Sequence, residues 1–245
     1  MPPRYPSLLE PPLGFARRGG RAVAAESTTL EAFGRALDLG APGLESDVWL
    51  CADGEPVLHH EPVVRSGIRR RPLSEVPRSR LPPSIPSLAE VYDACGTAFE
   101  LSLDVHDDAV PPVVVAVARQ AGTEAPGRLW LCSSDWQRAA SWRKLSTEVH
   151  VVDSTRMRRI AEGPERRASA LAAAGVDAVK LPERDWSPGL TTLFHRFGRL
   201  AFASGAQHRR QLDALLAMGV DGVYSDQVDR MVEALGGHPD STPRE

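Results

Sequence analysis

Two acidic residues at strand spacing, followed by a histidine, are the strongest chemical signal in the sequence. Glu45 and Asp47 lie two positions apart in the segment 43–50, so both carboxylates point the same way on a β-strand. The turn-forming pair Asp53-Gly54 and a short apolar run then bring the chain back to His60. Carboxylate oxygens bind hard divalent cations, and an adjacent imidazole can transfer protons. The segment therefore indicates metal-assisted acid–base chemistry, although a solvated acidic strand with a surface hairpin explains it equally well.

The composition favours one large domain and disfavours several functions. The chain has 245 residues, of which 42% are hydrophobic and 25% charged, enough for a single core the size of an α/β barrel. A net charge of −3 gives no general basic field for nucleic acid, and the arginine-rich segment 65–80 is interpreted as a solvated loop. Three widely spaced cysteines favour a reducing compartment. No export signal or membrane anchor is recognisable, so we expect a cytoplasmic protein.

Short apolar runs alternate with longer amphipathic segments along the chain. The predicted strands are residues 13–17, 43–50, 98–105, 128–132, 148–152, 177–181, 200–204 and 222–225. The predicted helices are residues 28–39, 87–94, 110–121, 135–145, 164–174, 189–197, 206–218 and 227–235, with Ser87 and Ser134 as expected N-caps. Eight alternating units predict an α/β fold, a parallel eight-stranded (β/α)₈ TIM barrel over residues 13–236. We expect a small hairpin or loop insertion after the second strand, and disordered tails at residues 1–12 and 237–245.

The active sites of such barrels lie at the carboxyl ends of the strands. Arg17 and Arg18 end the first predicted strand, and Asp104 and His106 end the third. Asp104 and the acidic pair on the second strand would thus place three carboxylates at one opening. Charged residues are common at strand ends, so each residue has a structural explanation by itself. Together they favour a functional site.

These residues resemble the motifs of the glycerophosphodiester phosphodiesterase family. That family's barrel opens with A-H-R-G and continues with P-E-N-T, E-x-D, D-G and H-D, an acidic residue two positions before a lysine, and a closing G-V-D-G-x-x-[TS]-D. The corresponding stretches here are Ala16-Arg17-Arg18-Gly19, Ala25-Glu26-Ser27-Thr28, Glu45-Ser46-Asp47, Asp53-Gly54, His60-Glu61, Asp104-Val105-His106 and the segment from Gly219 to Asp226. The likeness extends from about Gly14 to Leu235, and the early motifs agree in order and spacing.

The resemblance implies hydrolysis of a glycerophosphodiester to an alcohol and glycerol 3-phosphate, in phospholipid catabolism. It implies that Ca²⁺ or Mg²⁺ is held by Glu45, Asp47 and Asp104, with Glu26 as a further acidic contact to the substrate. Arg18 matches the family's phosphate-binding arginine, and its planar fork suits a phosphoryl group. His60 matches one of the two catalytic histidines. The implied partner is a small phosphate ester, not a nucleic acid or a membrane.

Arg17 departs from the family because it stands where the first catalytic histidine is expected. A guanidinium stays protonated well above neutrality and does not exchange protons near it, so we expect weakened turnover. His106 replaces the family's lysine and is a candidate for part of the lost proton transfer. Lys180 is either a further phosphate contact or a lysine extending along the rim. A noncatalytic barrel that binds a phosphodiester or phosphate ligand is the alternative function.

Overall fold

The computed structural model describes residues 6–20, 28–66 and 69–236. The strands in these ranges are β1 (Leu13–Arg17), β2 (Gly43–Leu50), β3 (Pro56–Leu58), β4 (Val63–Ser66), β5 (Arg69–Pro72), β6 (Glu100–Val105), β7 (Leu129–Ser133), β8 (His150–Ser154), β9 (Ala178–Pro182), β10 (Leu200–Ser204) and β11 (Gly222–Ser225). The helices are α1 (Leu30–Asp38), α2 (Leu88–Cys95), α3 (Val110–Ala121), α4 (Trp136–Ser141), α5 (Pro164–Ala173), α6 (Pro188–Arg196), α7 (Arg209–Ala217) and α8 (Val228–Gly236). None of the helices described is both long and apolar enough to cross a membrane.

Eight parallel strands form a closed barrel, which confirms the predicted (β/α)₈ TIM fold. The strand order is β1, β11, β10, β9, β8, β7, β6 and β2, and β2 pairs with β1 to close the sheet. The register places Arg17 opposite Glu45, and Asp47 opposite Asp104. The acidic pair on β2 therefore lies between β1 and β6, at the carboxyl end of the barrel.

Aromatic residues fill the barrel interior below this opening. Phe15 stacks on Tyr224 with 4.5 Å between ring centroids, and Phe202 packs near both rings. The Tyr224 hydroxyl lies 3.0 Å from Ser102 Oγ, so this buried polar atom has a hydrogen-bonding partner. A separate apolar layer packs the helices on the outer face of the sheet. The interior is thus a packed floor that supports the polar mouth.

The insertion after β2 contains more structure than the sequence pattern predicted. β3 pairs antiparallel with β2 outside the barrel, and β4 pairs antiparallel with β5 as a separate hairpin. The solvated loop predicted for residues 65–80 is therefore wrong in part. A small apolar cluster holds the insertion together, with Cys51, Val57, Val64, Leu73, Val76, Leu81 and Ile85. The arginines at the start of β5 are exposed, as their charge requires.

Local hydrogen bonds fix helix starts that the sequence placed only approximately. Ser87 caps α2 in a reciprocal capping box with Glu90, as expected. Helix α4 is capped by Asp135, not by the predicted Ser134, because the Asp135 carboxylate accepts from the Gln137 and Arg138 backbone amides. Helix α7 begins at Arg209, three residues later than predicted. Helices α2 and α4 thus start where a side chain accepts from free N–H groups of the first turn, whereas in α7 the Gln211 side chain accepts from the Gln207 and His208 amides just before the helix.

A buried carboxylate ties the opposite, amino-terminal end of the barrel together. Asp221 is fully buried and accepts hydrogen bonds from Ser7 Oγ at 2.7 Å and from the Ala201 amide at 2.6 Å. The Leu8 amide donates to Oδ1, the oxygen that also accepts from Ser7, and His195 Nε2 lies 2.7 Å from Oδ2, the oxygen that accepts from Ala201. Residues 7 and 8, which precede the barrel, are thereby attached to its base. Residues 1–5 and 237–245 lie outside the described part of the chain.

Candidate active site

A tight turn after β1 positions the two adjacent arginines. The Arg18 amide donates to the Glu45 carbonyl at 2.8 Å, and Arg18 has a φ of 54°, in the left-handed region that non-glycine residues rarely adopt. Gly19 follows with a φ of 74°, and a Cβ there would approach the Ala32 carbonyl carbon to 2.9 Å. This backbone geometry points the side chains of the two arginines in different directions. Arg17 consequently lines the barrel mouth, whereas Arg18 reaches His60.

Arg18, His60 and Asp47 form a continuous chain of contacts. Arg18 Nη2 lies 2.8 Å from His60 Nε2, and His60 Nδ1 lies 3.1 Å from Asp47 Oδ2. A guanidinium nitrogen can only donate, so His60 Nε2 must be the unprotonated nitrogen that accepts. The proton of the neutral ring is then on Nδ1 and is donated to Asp47. This tautomer leaves His60 Nε2 as a proton acceptor, with Asp47 holding the ring orientation.

His106 contacts the other oxygen atom of the same carboxylate. Its Nε2 lies 2.8 Å from Asp47 Oδ1, and its ring stacks on Trp49 with 4.4 Å between centroids. Burial by itself would raise the pKa of Asp47, but the hydrogen bonds from His106 and His60 lower it below its usual range. Asp47 is therefore ionised near neutrality. His106 therefore helps to hold the Asp47 side chain in place. The sequence suggested a different role for His106, in proton transfer.

Glu45 is the most strongly perturbed acid at the mouth. Its side chain is buried, and burial together with the negative charges of Asp104 and Asp47 raises its pKa to about 8, although Lys180 and Arg17 oppose this increase. A raised carboxyl pKa means that the negative charge is unfavourable at this position. The three predicted carboxylates are thus close enough to repel one another.

Lys180 supplies a fixed positive charge among these carboxylates. It is buried, and its Nζ lies 2.6 Å from Asp104 Oδ1 and 4.9 Å from the centroid of the Tyr224 ring. Burial favours the neutral amine, but the attraction of Asp104 outweighs it and raises the pKa of Lys180 well above its usual value. Lys180 is therefore an interior cation and not a lysine extending along the rim.

The mouth residues fit a divalent cation by donor type and by charge. Glu45, Asp47 and Asp104 offer hard oxygen atoms, and the repulsion that raises the Glu45 pKa is of the kind that a cation relieves. In the described geometry, however, Asp47 is hydrogen-bonded to two imidazoles and Asp104 is paired with Lys180. In the described ranges, no three or more Asp, Glu, His or Cys side chains are already arranged so that together they could hold a metal ion.

A cavity of about 410 Å³ opens at the carboxyl end of the barrel. Its lining is rich in positive charge and comprises Arg17, Glu45, Asp104, Ser134, Ser154, Thr155, Arg156, Arg159, Lys180, Pro182, Ser204, Gly205 and Tyr224. His60 lines a neighbouring cavity of about 560 Å³ beside the β4–β5 hairpin, together with Arg65 and Arg70. The mouth is therefore polar and suited to an anion.

One buried polar atom lies in the turn after β1, and another lies on Thr28, whose amide donates to the Arg18 carbonyl. Arg18 Nε and Thr28 Oγ1 have no hydrogen-bond partner among the residues described. Unsatisfied buried donors are costly, and an oxyanion would satisfy both the Nε and the guanidinium face. The predicted contact Glu26 belongs to residues 21–27, which lie outside the described ranges.

Three residues at the mouth were not identified from the sequence. Arg156 and Arg159 follow β8, and Asp226, which follows β11, lies 3.6 Å from Arg17. Each lies just beyond the end of a barrel strand, and this position could have identified it from the sequence.

The site residues predicted from the sequence divide into two groups. One group is a chain of successive contacts formed by Arg18, His60, Asp47 and His106. The other group lines the cavity and comprises Arg17, Glu45, Asp104 and Lys180.

The fold and site together define a TIM barrel whose polar mouth combines arginines, a lysine, carboxylates and a histidine. Residues 18–89 match the model of the glycerophosphoryl diester phosphodiesterase family, the range that contains Arg18, Glu45, Asp47 and His60. No curated protein sequence matches the chain. The resemblance to this family is thereby confirmed over the early motifs.

Solved structures agree in fold over almost the whole chain. A glycerophosphodiester phosphodiesterase from Thermotoga maritima is 18% identical, with a TM-score of 0.77, and the match covers 90% of this chain and 97% of that one. An Oleispira antarctica phosphodiesterase in complex with the product sn-glycerol-3-phosphate is 19% identical, with a TM-score of 0.78 and coverages of 92% and 97%. The enzyme from Agrobacterium tumefaciens is 18% identical, with a TM-score of 0.74 and coverages of 91% and 99%. At these identities the matches show the shared fold.

Proposed function

We propose that this chain hydrolyses glycerophosphodiesters to an alcohol and glycerol 3-phosphate at the barrel mouth, as a step in phospholipid breakdown. The observation that carries the proposal is the Arg18–His60–Asp47 chain of contacts, which combines a phosphate-binding group with an oriented base. The complex of the Oleispira antarctica phosphodiesterase with sn-glycerol-3-phosphate supports the choice of substrate class.

Substrate binding and base activation are linked through Arg18. Its guanidinium contacts His60 Nε2, and its Nε is buried without a partner in the described part of the chain. A phosphoryl group competes for this guanidinium through two parallel N–H···O bonds. His60 Nε2 is then released to accept a proton from the attacking water, whose oxygen bonds to phosphorus as the bond from phosphorus to the alcohol oxygen breaks. The Nδ1–H bond to Asp47 stabilises the imidazolium that forms.

Glu45, Asp47 and Asp104 would hold Ca²⁺ or Mg²⁺, which when bound would neutralise negative charge on the phosphoryl oxygens. Arg17 adds a positive charge at the same opening, but it does not donate a proton to the leaving alcohol near neutral pH. The leaving oxygen must therefore take its proton from water. This is the physical reason for expecting a low turnover.

The test compares His60→Gln with the wild type on sn-glycero-3-phosphocholine. His150→Gln is the matched control, because His150 begins β8 at the other end of the barrel. Loss of the base is expected to reduce kcat by about 10²- to 10⁴-fold, whereas the control keeps wild-type kcat. Equal rates for all three proteins would overturn the assignment of His60. Binding of glycerol 3-phosphate without hydrolysis would identify the noncatalytic alternative.

A further inference from the structure

Two arginines on the loop after β8 line the mouth cavity without an acidic partner. Arg156 and Arg159 are exposed, and neither forms an ion pair with any carboxylate in the described ranges. The other cations of this cavity are compensated, since Arg17 lies 3.6 Å from Asp226 and Lys180 lies 2.6 Å from Asp104. The two loop arginines therefore contribute uncompensated positive charge to the opening.

The loop that carries these arginines is anchored at several points. The Thr155 amide donates to the Lys180 carbonyl at 2.9 Å, and the Met157 amide donates to Asp185 Oδ2 at 3.0 Å. Thr155 and Ile160 are buried. Asp185 is the acidic side chain that contacts the loop, and it accepts from a backbone amide of the loop, not from Arg156 or Arg159. The anchoring holds both arginines over the cavity at a low cost in conformational entropy.

The barrel topology places these arginines across the mouth from the β1 turn. β8 is the fifth strand of the eight-stranded barrel and β1 is the first, so three strands lie between them in either direction. Arg17 nevertheless lines the same cavity of about 410 Å³ as Arg156 and Arg159. A ligand in this cavity can therefore contact positive charge on two opposite walls.

We infer that Arg156 and Arg159 form a second anion subsite, which selects glycerophosphodiesters whose alcohol carries an additional phosphate monoester. This inference rests on the proposed function, since it assigns the leaving alcohol to the β8 side of the mouth. Guanidinium groups bind phosphate in a bidentate manner, and a monoester dianion matches two arginines that line one cavity better than a hydroxyl does. A quaternary ammonium alcohol such as choline meets like charge there and gains nothing.

The experiment uses two substrates that differ only in the monoester. They are sn-glycero-3-phosphoinositol and sn-glycero-3-phosphoinositol 4-phosphate, compared by kcat/KM and by calorimetric Kd. The wild type is expected to prefer the phosphorylated substrate by at least about tenfold, mainly through KM, as expected for charge-assisted hydrogen bonds made equally in ground and transition states. The preference should decrease at high salt.

The Arg156→Gln/Arg159→Gln double variant should lose this preference and keep the wild-type kcat on the unphosphorylated substrate. Arg158→Gln is the control, because Arg158 is exposed on the same loop but does not line the cavity. Equal kcat/KM for both substrates in the wild type, or a preference that persists in the double variant, would overturn the subsite while leaving the proposed function intact. Failure of the wild type to bind or cleave either diester would instead overturn both.

Discussion

Lys180→Met is expected to destabilise the barrel, because it leaves a cluster of carboxylates without its interior cation. The Lys180 side chain is 6% exposed and its partner Asp104 is 28% exposed. Removing one member of a buried ion pair typically costs about 3–5 kcal/mol. Asp104 retains contact with water, so we expect a loss near about 3 kcal/mol, at the lower end of that range.

This loss can be measured as a change in thermal stability. For a domain of this size, about 1 kcal/mol corresponds to about 2–4 °C in Tm, so Lys180→Met should melt about 6–12 °C below the wild type. The matched variant is Lys180→Met/Asp104→Asn, which removes both charges and should recover most of the lost stability. A single variant as stable as the wild type, or a double variant no better than the single one, would refute the reasoning.

Divalent cations extend the same test to the proposed metal ligands. Ca²⁺ or Mg²⁺ should raise the Tm of Lys180→Met more than that of the wild type, because the cation replaces the missing ammonium beside Asp104 and Glu45. At 100 times its Kd, a cation adds about 2.7 kcal/mol to the stability of the folded state. The same addition should have a smaller effect on the double variant.

Three further variants test other parts of the structure. Asp221→Asn should lower the free energy of unfolding by about 2–4 kcal/mol in urea denaturation, since Asp221 is buried and accepts several hydrogen bonds, whereas the exposed control Asp213→Asn should change it by less than about 0.5 kcal/mol. Glu45→Gln should gain stability relative to the wild type as pH rises from about 5 to 8 in EDTA, by at most about 1.4 kcal/mol per pH unit. The reason is that the folded wild type retains the Glu45 proton up to a pKa of about 8, so the stability of the wild type decreases as pH rises across this window. A difference in Tm between the two proteins that stays constant with pH would contradict this reasoning. His106→Lys should lower kcat by less than about tenfold, far less than His60→Gln, and comparable losses would show that His106 takes part directly in proton transfer.

The barrel itself could be predicted because its strands are buried on both faces and separated by amphipathic helices. The bounds of β1 and β2 agree with the sequence pattern, at residues 13–17 and 43–50. The β4–β5 hairpin was missed because β5 is Arg69–Pro72, whose charges resemble a solvated loop. Its pairing with β4 and the apolar cluster beneath it are tertiary features that local propensity does not encode.

The candidate site was predictable in its residue types but not in its contacts. The i, i+2 spacing on β2 predicted that Glu45 and Asp47 point the same way. Glu45 lines the mouth cavity, whereas Asp47 contacts His60 and His106. The Arg18–His60 contact depends on the positive φ of Arg18, which the sequence pattern does not specify. Lys180 and Asp104 are 76 positions apart, so their pairing follows only from barrel closure. The arginines after β8 were missed because no single local motif contains them.

The most direct test of the central claim is hydrolysis of sn-glycero-3-phosphocholine followed by ³¹P NMR, with the wild type and Arg17→His. Restoring an imidazole beside an intact Arg18–His60–Asp47 chain should give a group that can protonate the leaving oxygen. We predict that the wild type forms glycerol 3-phosphate slowly and that Arg17→His raises kcat by at least about tenfold, or about 1.4 kcal/mol of transition-state stabilisation. Absence of glycerol 3-phosphate with both proteins, at concentrations where glycerol 3-phosphate itself binds, would contradict the account.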